Sequence, residues 1–392
     1  RAKPATVTGV RAAIQVGHGA AAVPVRTTLV GAAVSVATLV AVLAFGSGLE
    51  RLVTTPRLYG WNWDLSITGN GGYSNVGPDE ATGDRPLERR LERDPGVRGW
   101  AWAWYASLRV DDRGVPTVGI EPGRGVVYPT LLGGRRATSD DEIVVGTTTL
   151  RRIGKEVGDR VRVASGTRAE TKLVVGRAVF PSLGFGDAAR TALGDGVALP
   201  ASALGQLVPD AHASAALVQV VDGPRRDATI ARLRKDFSDP FTLFAFSAQQ
   251  PGEIVEYERV QWTPVTLAGL LALLWAGALA HALVTTSRRR RRELAVLRAL
   301  GFTRRQVAAT IRWQASTVAA VGLVFGIPIG LVLGRVVWNA FADRLGVAGD
   351  PVVPVIALVV LVPGALLIAN LLAAAPARAA TRTRPAVVLR SE

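Results

Sequence analysis

Few residues in this 392-residue chain are of a type that does covalent chemistry. It has no cysteine, and its three histidines, His18, His212 and His281, stand far apart in sequence. That leaves no thiolate, no disulfide frame and no histidine pair at metal-ligand spacing. Glu253, Glu256 and Glu258 lie close together ahead of an apolar run. Paired carboxylates can do acid and base work, but with Arg259 beside them these read as a charged stalk surface. The stretch GNGG at 69–72 reads as a turn, because no Lys-Ser/Thr follows it as a phosphate cradle would need. No GxxxxGK[ST] loop and no GxSxG elbow occurs, so the chain is neither a P-loop ATPase itself nor a serine hydrolase of that type. These patterns point away from an enzyme, a bound metal or a cofactor.

Two other sets stand out by type and spacing. Tyr59, Trp61 and Trp63, then Trp100, Trp102, Trp104 and Tyr105, form an aromatic cluster in which alternate residues share one face of a strand. Such a face is a core or a membrane-proximal belt, or else a platform for an apolar ligand or a partner protein. The second set is Arg288, Arg289, Arg290, Arg291 and Arg292, followed at once by ELAVLRALGFTRRQ.

The elements that must position these sets are membrane spans. Four stretches lack any Asp, Glu, Lys or Arg: Thr27 to Leu49, Gln261 to Ser287, Trp313 to Gly334 and Pro351 to Ala377. Each exceeds the roughly 20 residues that cross a bilayer at about 1.5 Å per residue. Charge sets their direction. Residues 1–26 carry +4, 287–312 carry +8 and 378–392 carry +3, whereas 50–260 and 335–350 are each neutral. The whole excess of +15 therefore lies on one side of the membrane, which the positive-inside rule identifies as the cytosol. It marks orientation and is no nucleic-acid footprint, which would need a basic patch on a soluble domain.

The expected organisation is an α-helical membrane protein with four transmembrane helices and a large extracytoplasmic α+β domain between helices 1 and 2. A cytosolic lead-in (1–26) precedes the first span (27–49), and the external domain covers 50–260. The second span (261–287) leads through a cytosolic elbow (288–312) to the third (313–334). A short external loop (335–350), the fourth span (351–377) and a cytosolic tail (378–392) complete it. In the external domain, β-rich runs at 65–68, 100–110, 116–120, 142–145, 160–163, 171–179, 197–199 and 215–221 alternate with helical spacing at 147–153 and 225–237. This mixture predicts an α+β domain of two lobes.

In the elbow, Leu294, Leu297 and Leu300 fall on one helical face with Glu293 and Arg298 turned away, and Gly301 caps the helix. Thr303 with Gln306 three residues on predicts a capping box opening the next helix. The run RRRELAVLRALGFTRRQV, with the following GLVFGIPIGLVLG, resembles the C-terminal signature of FtsX-like and MacB-like ABC transporter permeases. The four-span layout is similar to that family along essentially the whole chain, and DEIVVGTTTLRRIGKEVGDRVRV resembles it in the external domain.

The resemblance implies a type VII ABC system in the inner or plasma membrane. A separate cytosolic ATPase dimer carries ATP and magnesium, and this chain needs no cofactor of its own. Glu293, Leu294, Leu297, Arg298, Ala299, Leu300, Gly301 and Phe302 form the helix that docks on the ATPase, while the five arginines anchor to membrane lipid. Closure of the ATPase is relayed to the external domain, which moves an apolar or amphipathic substrate or controls a lipoprotein or other envelope partner. The chain has no methionine, and its lead-in resembles the middle of long actinobacterial permeases with two four-span units. The expectation is therefore a C-terminal half that works with a second permease half or protomer. The other reading is a sensor or scaffold that binds an envelope ligand at Trp61, Trp63, Trp100, Trp102 and Trp104. Ser35, His281, Asn339 and Asn370 are too scattered to line a hydrophilic path.

Overall fold

The computed structural model describes residues 25–69, 75–77, 86–183, 191–238, 243–249, 254, 262–289 and 303–382. The chain divides into a helical unit and an inserted unit, and residues Asn339–Asp350 group with the latter.

Helix α1 (Val25–Thr54) leads into the inserted unit through a 3-10 turn at Pro56–Tyr59. There follow β1 (Leu65–Gly69), α2 (Pro86–Arg93), β2 (Val97–Val110), β3 (Arg113–Arg124), β4 (Leu131–Gly134), β5 (Glu142–Gly146) and α3 (Thr147–Ile153). Next come β6 (Arg160–Ser165), β7 (Arg168–Ala178), the small pair β8 (Phe180–Leu183) and β9 (Thr191–Leu193), β10 (Val197–Pro200) and α4 (Ala201–Leu207). β11 (Ala213–Val220), α5 (Arg226–Asp236) and β12 (Leu243–Phe246) complete it.

One ten-stranded mixed sheet runs β12-β1-β11-β2-β3-β10-β5-β7-β4, with β6 joining β2 to β7. Its backbone is the long β2/β3 hairpin, which turns on Asp111 (φ 44°) and Asp112 (φ 64°) between the paired Val110 and Arg113. Two residues at positive φ are what a tight hairpin needs to match strand twist, and aspartate tolerates that region better than most side chains. The hairpin carries two separate cores. Leu65, Ile67, Trp100, Trp102, Val218, Leu233 and Phe237 belong to one. Leu108, Val110, Val115, Ile143, Val163, Val174 and Leu204 belong to the other, and Trp104 packs against both.

Polar contacts close the connections. Arg124 donates to the carbonyls of Glu92 (2.8 Å) and Asp94 (3.3 Å), satisfying the end of α2. Glu142 closes the turn before β5 by accepting from both guanidinium nitrogens of Arg135 and from the Thr138 N–H (3.0 Å). Arg135 above all, then the Thr138 N–H, holds its carboxyl down to about 2. A folded value depressed below the unfolded one contributes stability above the unfolded pKa, and that contribution fades as pH falls through the folded one. Glu142→Gln is expected to lower the thermal midpoint at neutral pH. The gap to wild type should close between about pH 4.3, the ordinary glutamate value, and about pH 2.

Among the described residues four helices are long and apolar enough to cross a membrane: α1, α6 (Thr263–Arg289), α7 (Arg304–Leu345) and α8 (Val355–Arg382). α7 has 42 residues, about 63 Å at 1.5 Å per residue and twice a hydrocarbon thickness of about 30 Å. This corrects the expected loop at 335–350, because the helix continues through Leu345. The charge-free rule finds the lipid-embedded stretch and stops at Arg335, but nothing in RVVWNAFADRL breaks a helix.

Within the helical unit α7 packs on α1 through glycines at four-residue spacing. An added Cβ would stand 3.2 Å from Ala32 Cβ at Gly322 and 2.6 Å from Val36 Cβ at Gly326. At Gly330 it would stand 2.5 Å from the Ala37 carbonyl oxygen, and at Gly334 2.8 Å from Ala44 Cβ. Absent side chains let the two backbones approach, which is how helices associate where lipid removes the hydrophobic drive. α8 buries Ala365, Ala369, Ala373 and Ala377 at the same spacing, in one core with Trp275, Leu279 and Leu283 of α6. Asn370 donates to Ser316 Oγ at 3.0 Å and to the Leu366 carbonyl at 2.8 Å, so it is helix-to-helix glue.

Candidate coupling site

The elbow is described at its two ends. Arg288 and Arg289 are the last residues of α6. Arg290, Arg291 and Arg292, and the docking set Glu293, Leu294, Leu297, Arg298, Ala299, Leu300, Gly301 and Phe302, lie outside the described residues. The start of α7 is the expected capping box. The Thr303 N–H donates to Gln306 Oε1 at 2.8 Å, and the Gln306 N–H donates back to Thr303 Oγ1 at 3.3 Å. Two donors that a helix start leaves bare are thus satisfied reciprocally. Val307 and Ile311, one and two turns on, are buried and tie this end into the helical unit.

The far end of α7 is held by the inserted unit. Gly346 takes φ 72° and its N–H returns to the Ala342 carbonyl at 2.8 Å, so the helix ends in a left-handed glycine cap. The chain there lies directly on the loop before β10: a Cβ at Gly346 would stand 2.5 Å from Gly194 Cα and 3.3 Å from Thr147 Cβ. The Gly194 carbonyl accepts from the N–H groups of Thr148 (2.8 Å) and Thr149 (3.2 Å), the first turn of α3. Thr149 Oγ1 donates to Asp195 at 2.7 Å, and Arg152 pairs with the same carboxylate at 3.2 Å. From the outer face of α3, Arg151 donates to the Arg344 carbonyl at 2.8 Å, and the Ala348 N–H donates to the Leu58 carbonyl at 3.2 Å. Val347 is 2% exposed. The close approach of these two glycines seats the end of α7 against the loop before β10.

None of Gly194, Gly346, Arg151 and Thr149 stood among the expected site residues. A helix end was legible at Gly346 in RLGVAG, as a glycine just past the last helical residue, but its contact partner was not. The stretch TTTLRRI, already a point of family likeness, turns out to be the helix that grips α7.

The tryptophans do not form an open surface. Trp61, Trp63, Trp100 and Trp102 are all 5% exposed or less, and only Trp104 is half-buried. Trp100 and Trp102 meet edge to face at 5.2 Å, as alternate residues on one strand face should, and Trp61 and Trp63 lie 5.3 Å apart. The Trp100 indole N–H donates to Glu92 Oε1 at 3.1 Å. The expected ligand or partner surface at Trp61, Trp63, Trp100 and Trp102 is therefore corrected to core. α2 and α5 cover the sheet face that the alternation creates, and Leu87, Leu91, Leu233 and Phe237 fill it from above.

Comparison with known proteins places two matches end to end. Residues 27–236 match the MacB-like periplasmic core domain, and residues 265–385 match the FtsX-like permease C-terminal family. Among solved structures, the extracellular domain of the noncanonic ABC-type transporter YknZ from Gram-positive bacteria is similar at 15% identity and a TM-score of 0.31. The likeness covers 47% of this chain and 99% of that one. A comparison with curated proteins finds no match.

Proposed function

This chain belongs to the FtsX-like ABC transporter permeases that carry a MacB-like core domain, and on that footing we propose that it transmits force from a separate ATPase to its inserted domain. The observation that supports this most directly is the continuity of α7. One helix, with Pro328 inside it, runs from the capping box at Thr303 to the glycine cap at Gly346, and its last turns belong to the inserted unit. A helix held at both ends conveys displacement along its length, whereas a span ending in a flexible loop would dissipate it.

In this reading a cytosolic ATPase dimer binds ATP and magnesium and takes the elbow helix, Glu293 to Phe302, in a groove. Leu294, Leu297 and Leu300 bury against it, and Arg288 to Arg292 hold the membrane surface through lipid phosphates. Both termini lie in the cytosol and the inserted domain lies outside, as the charge distribution favours. The moving domain exports or extracts an apolar or amphipathic substrate or controls an envelope partner such as a lipoprotein, and a second permease half or protomer completes the assembly. The glycine-tight α1/α7 pair, the alanine stripe of α8 and a scarcity of polar intramembrane residues favour work at the outer face over a hydrophilic conduit. The sensor or scaffold alternative drew on the tryptophan strand, and burial of that strand removes its support.

The direct test is at the elbow. Leu297→Asp and Gly301→Pro are expected to leave expression and membrane insertion intact while abolishing permease-dependent stimulation of the ATPase in proteoliposomes. Stimulation that survives both changes would remove Glu293–Phe302 as the docking helix.

A further inference from the structure

The helical unit holds a cavity of about 160 Å³ where α1, α7 and the chain entering α8 meet. It is lined by Ala44 of α1, by Leu331, Val332 and Arg335 of α7, and by Val352 and Val353. The chain itself fixes its depth in the membrane. The charge-free stretch of α1 ends at Leu49, that of α7 ends at Gly334 and that of α8 begins at Pro351, all three on the side of the inserted unit. Leu331 stands four residues inside this boundary, about 6 Å at 1.5 Å per residue, and Arg335 stands on it. The interfacial layer on each side of a bilayer is about 5–7 Å thick, so lipid phosphates and glycerol lie at the level of Arg335. The floor of the cavity is tightly packed. Trp338 is 2% exposed and meets Phe45 edge to face at 5.8 Å, and a Cβ at Gly48 would stand 2.7 Å from the Trp338 ring. Arg335 is the one charged residue of the lining. It is exposed, and its side chain makes no ion pair or hydrogen bond among the described residues.

We infer that this cavity holds the headgroup of one acidic glycerophospholipid, with its phosphate on Arg335. A guanidinium matches a phosphate in a two-pronged hydrogen bond, and the apolar walls, among them the exposed Val332 and Val353, suit the glycerol and the first methylenes. Those walls select a lipid phosphate over a free one. Charge selects the class of lipid. A zwitterionic headgroup brings its own cation towards Arg335, and the lining has no carboxylate to receive it; an acidic headgroup brings none. The lipid would sit at the mouth of the seam between α1 and α7, beside the start of α8. Nucleotide has no part in this inference, which stands apart from the ATPase coupling proposed above.

The test uses the full chain in nanodiscs of phosphatidylcholine and phosphatidylglycerol in equal amounts. Two photoprobes carry the same diazirine beside the glycerol, one with each headgroup, and crosslinks are located by peptide mass. A local readout is needed because the arginines of the elbow attract acidic lipid of their own. On Leu331, Val332, Val352 and Val353 the phosphatidylglycerol probe is expected to exceed the phosphatidylcholine probe about fivefold, the preference that one arginine near a membrane surface confers. At the exposed Val265, near the same end of α6, the two should label equally. Arg335→Gln should bring the cavity ratio down to that at Val265 with the thermal midpoint unchanged, and Arg335→Lys should keep part of it. Val352→Trp, which fills the space and leaves the arginine, should cut cavity labelling by both probes. A cavity ratio no higher than at Val265, or one that Arg335→Gln leaves intact, would overturn the inference. So would cavity labelling that disappears when a second copy shares the disc, because protein and not lipid would then cover this face.

Discussion

Gly330→Leu is expected to be the most damaging single change in the helical unit. The Cβ alone would stand 2.5 Å from the Ala37 carbonyl oxygen and 2.7 Å from Val40 Cβ. A backbone carbonyl inside α1 cannot step aside without lengthening a helical hydrogen bond, so α1 and α7 must separate. Overpacking of a tight contact costs about 1–3 kcal/mol, occasionally more, and a leucine adds three further carbons to that clash. The glycines also predict a graded series. Gly322→Ala, with its nearest neighbour at 3.2 Å, should cost least, while Gly326→Ala and Gly330→Ala should cost clearly more. Gly31→Ala should cost nothing and can gain up to about 1 kcal/mol in helix propensity, because its Cβ meets no atom. Unfolding of the purified protein in mixed detergent micelles measures the order. If Gly31→Ala and Gly330→Ala lost equal stability, the α1/α7 contact would not be glycine-dependent.

That series also shows where sequence reasoning reached its limit. Length and charge sufficed for four spans, because lipid imposes a strong and simple requirement on composition. They did not reveal which glycines pack and which leave a gap, since Gly31 and Gly330 sit in equally apolar surroundings. In the inserted domain β2 was legible from alternation and α3 from its helical spacing, and α3 ends on Gly154 at φ 68°. The helix Pro86–Arg93 was missed although its signal is present, a proline at the first position and Leu87 and Leu91 one turn apart. Its dense charge masked a narrow apolar stripe. Helix α4 carries no such pattern. ASALGQL becomes helical because Ala203, Leu204 and Leu207 complete the second core, a tertiary effect that local propensity does not contain. β4 and β12, four residues each at the two ends of the sheet path, are too short to show a period. The Thr303–Gln306 box was read directly because both partners lie within one turn. The Gly194–Gly346 contact joins residues far apart in the chain, and no local pattern encodes it.

Gly346→Val is expected to uncouple the inserted domain from α7 while leaving both cores folded. Two costs combine at this position. A β-branched residue at φ 72° is strained by roughly 1–2 kcal/mol, and its Cβ meets Gly194 Cα at 2.5 Å, another overpacking cost of about 1–3 kcal/mol. Together they exceed what the hydrogen bonds from Arg151 to the Arg344 carbonyl and from Ala348 to the Leu58 carbonyl contribute, about 1 kcal/mol each. The end of α7 should therefore leave the α3 loop rather than distort it. Gly194→Val attacks the same contact from the other side and should give the same phenotype. Gly166→Asn is the control: φ there is 54° and a Cβ would meet nothing, and asparagine tolerates that region. Because the chain has no cysteine, two introduced cysteines can be spin-labelled without background. One at the exposed Val157 of the inserted unit and one at the exposed Val30 of α1 report the distance between the two units in the full complex with its ATPase. Wild type and Gly166→Asn should change that distance on ATP binding. Gly346→Val and Gly194→Val should bind the ATPase and hydrolyse ATP with the distance left unresponsive. An undiminished response in both valine variants would mean that force reaches the inserted domain by another element, and the α7 clamp would be structural only.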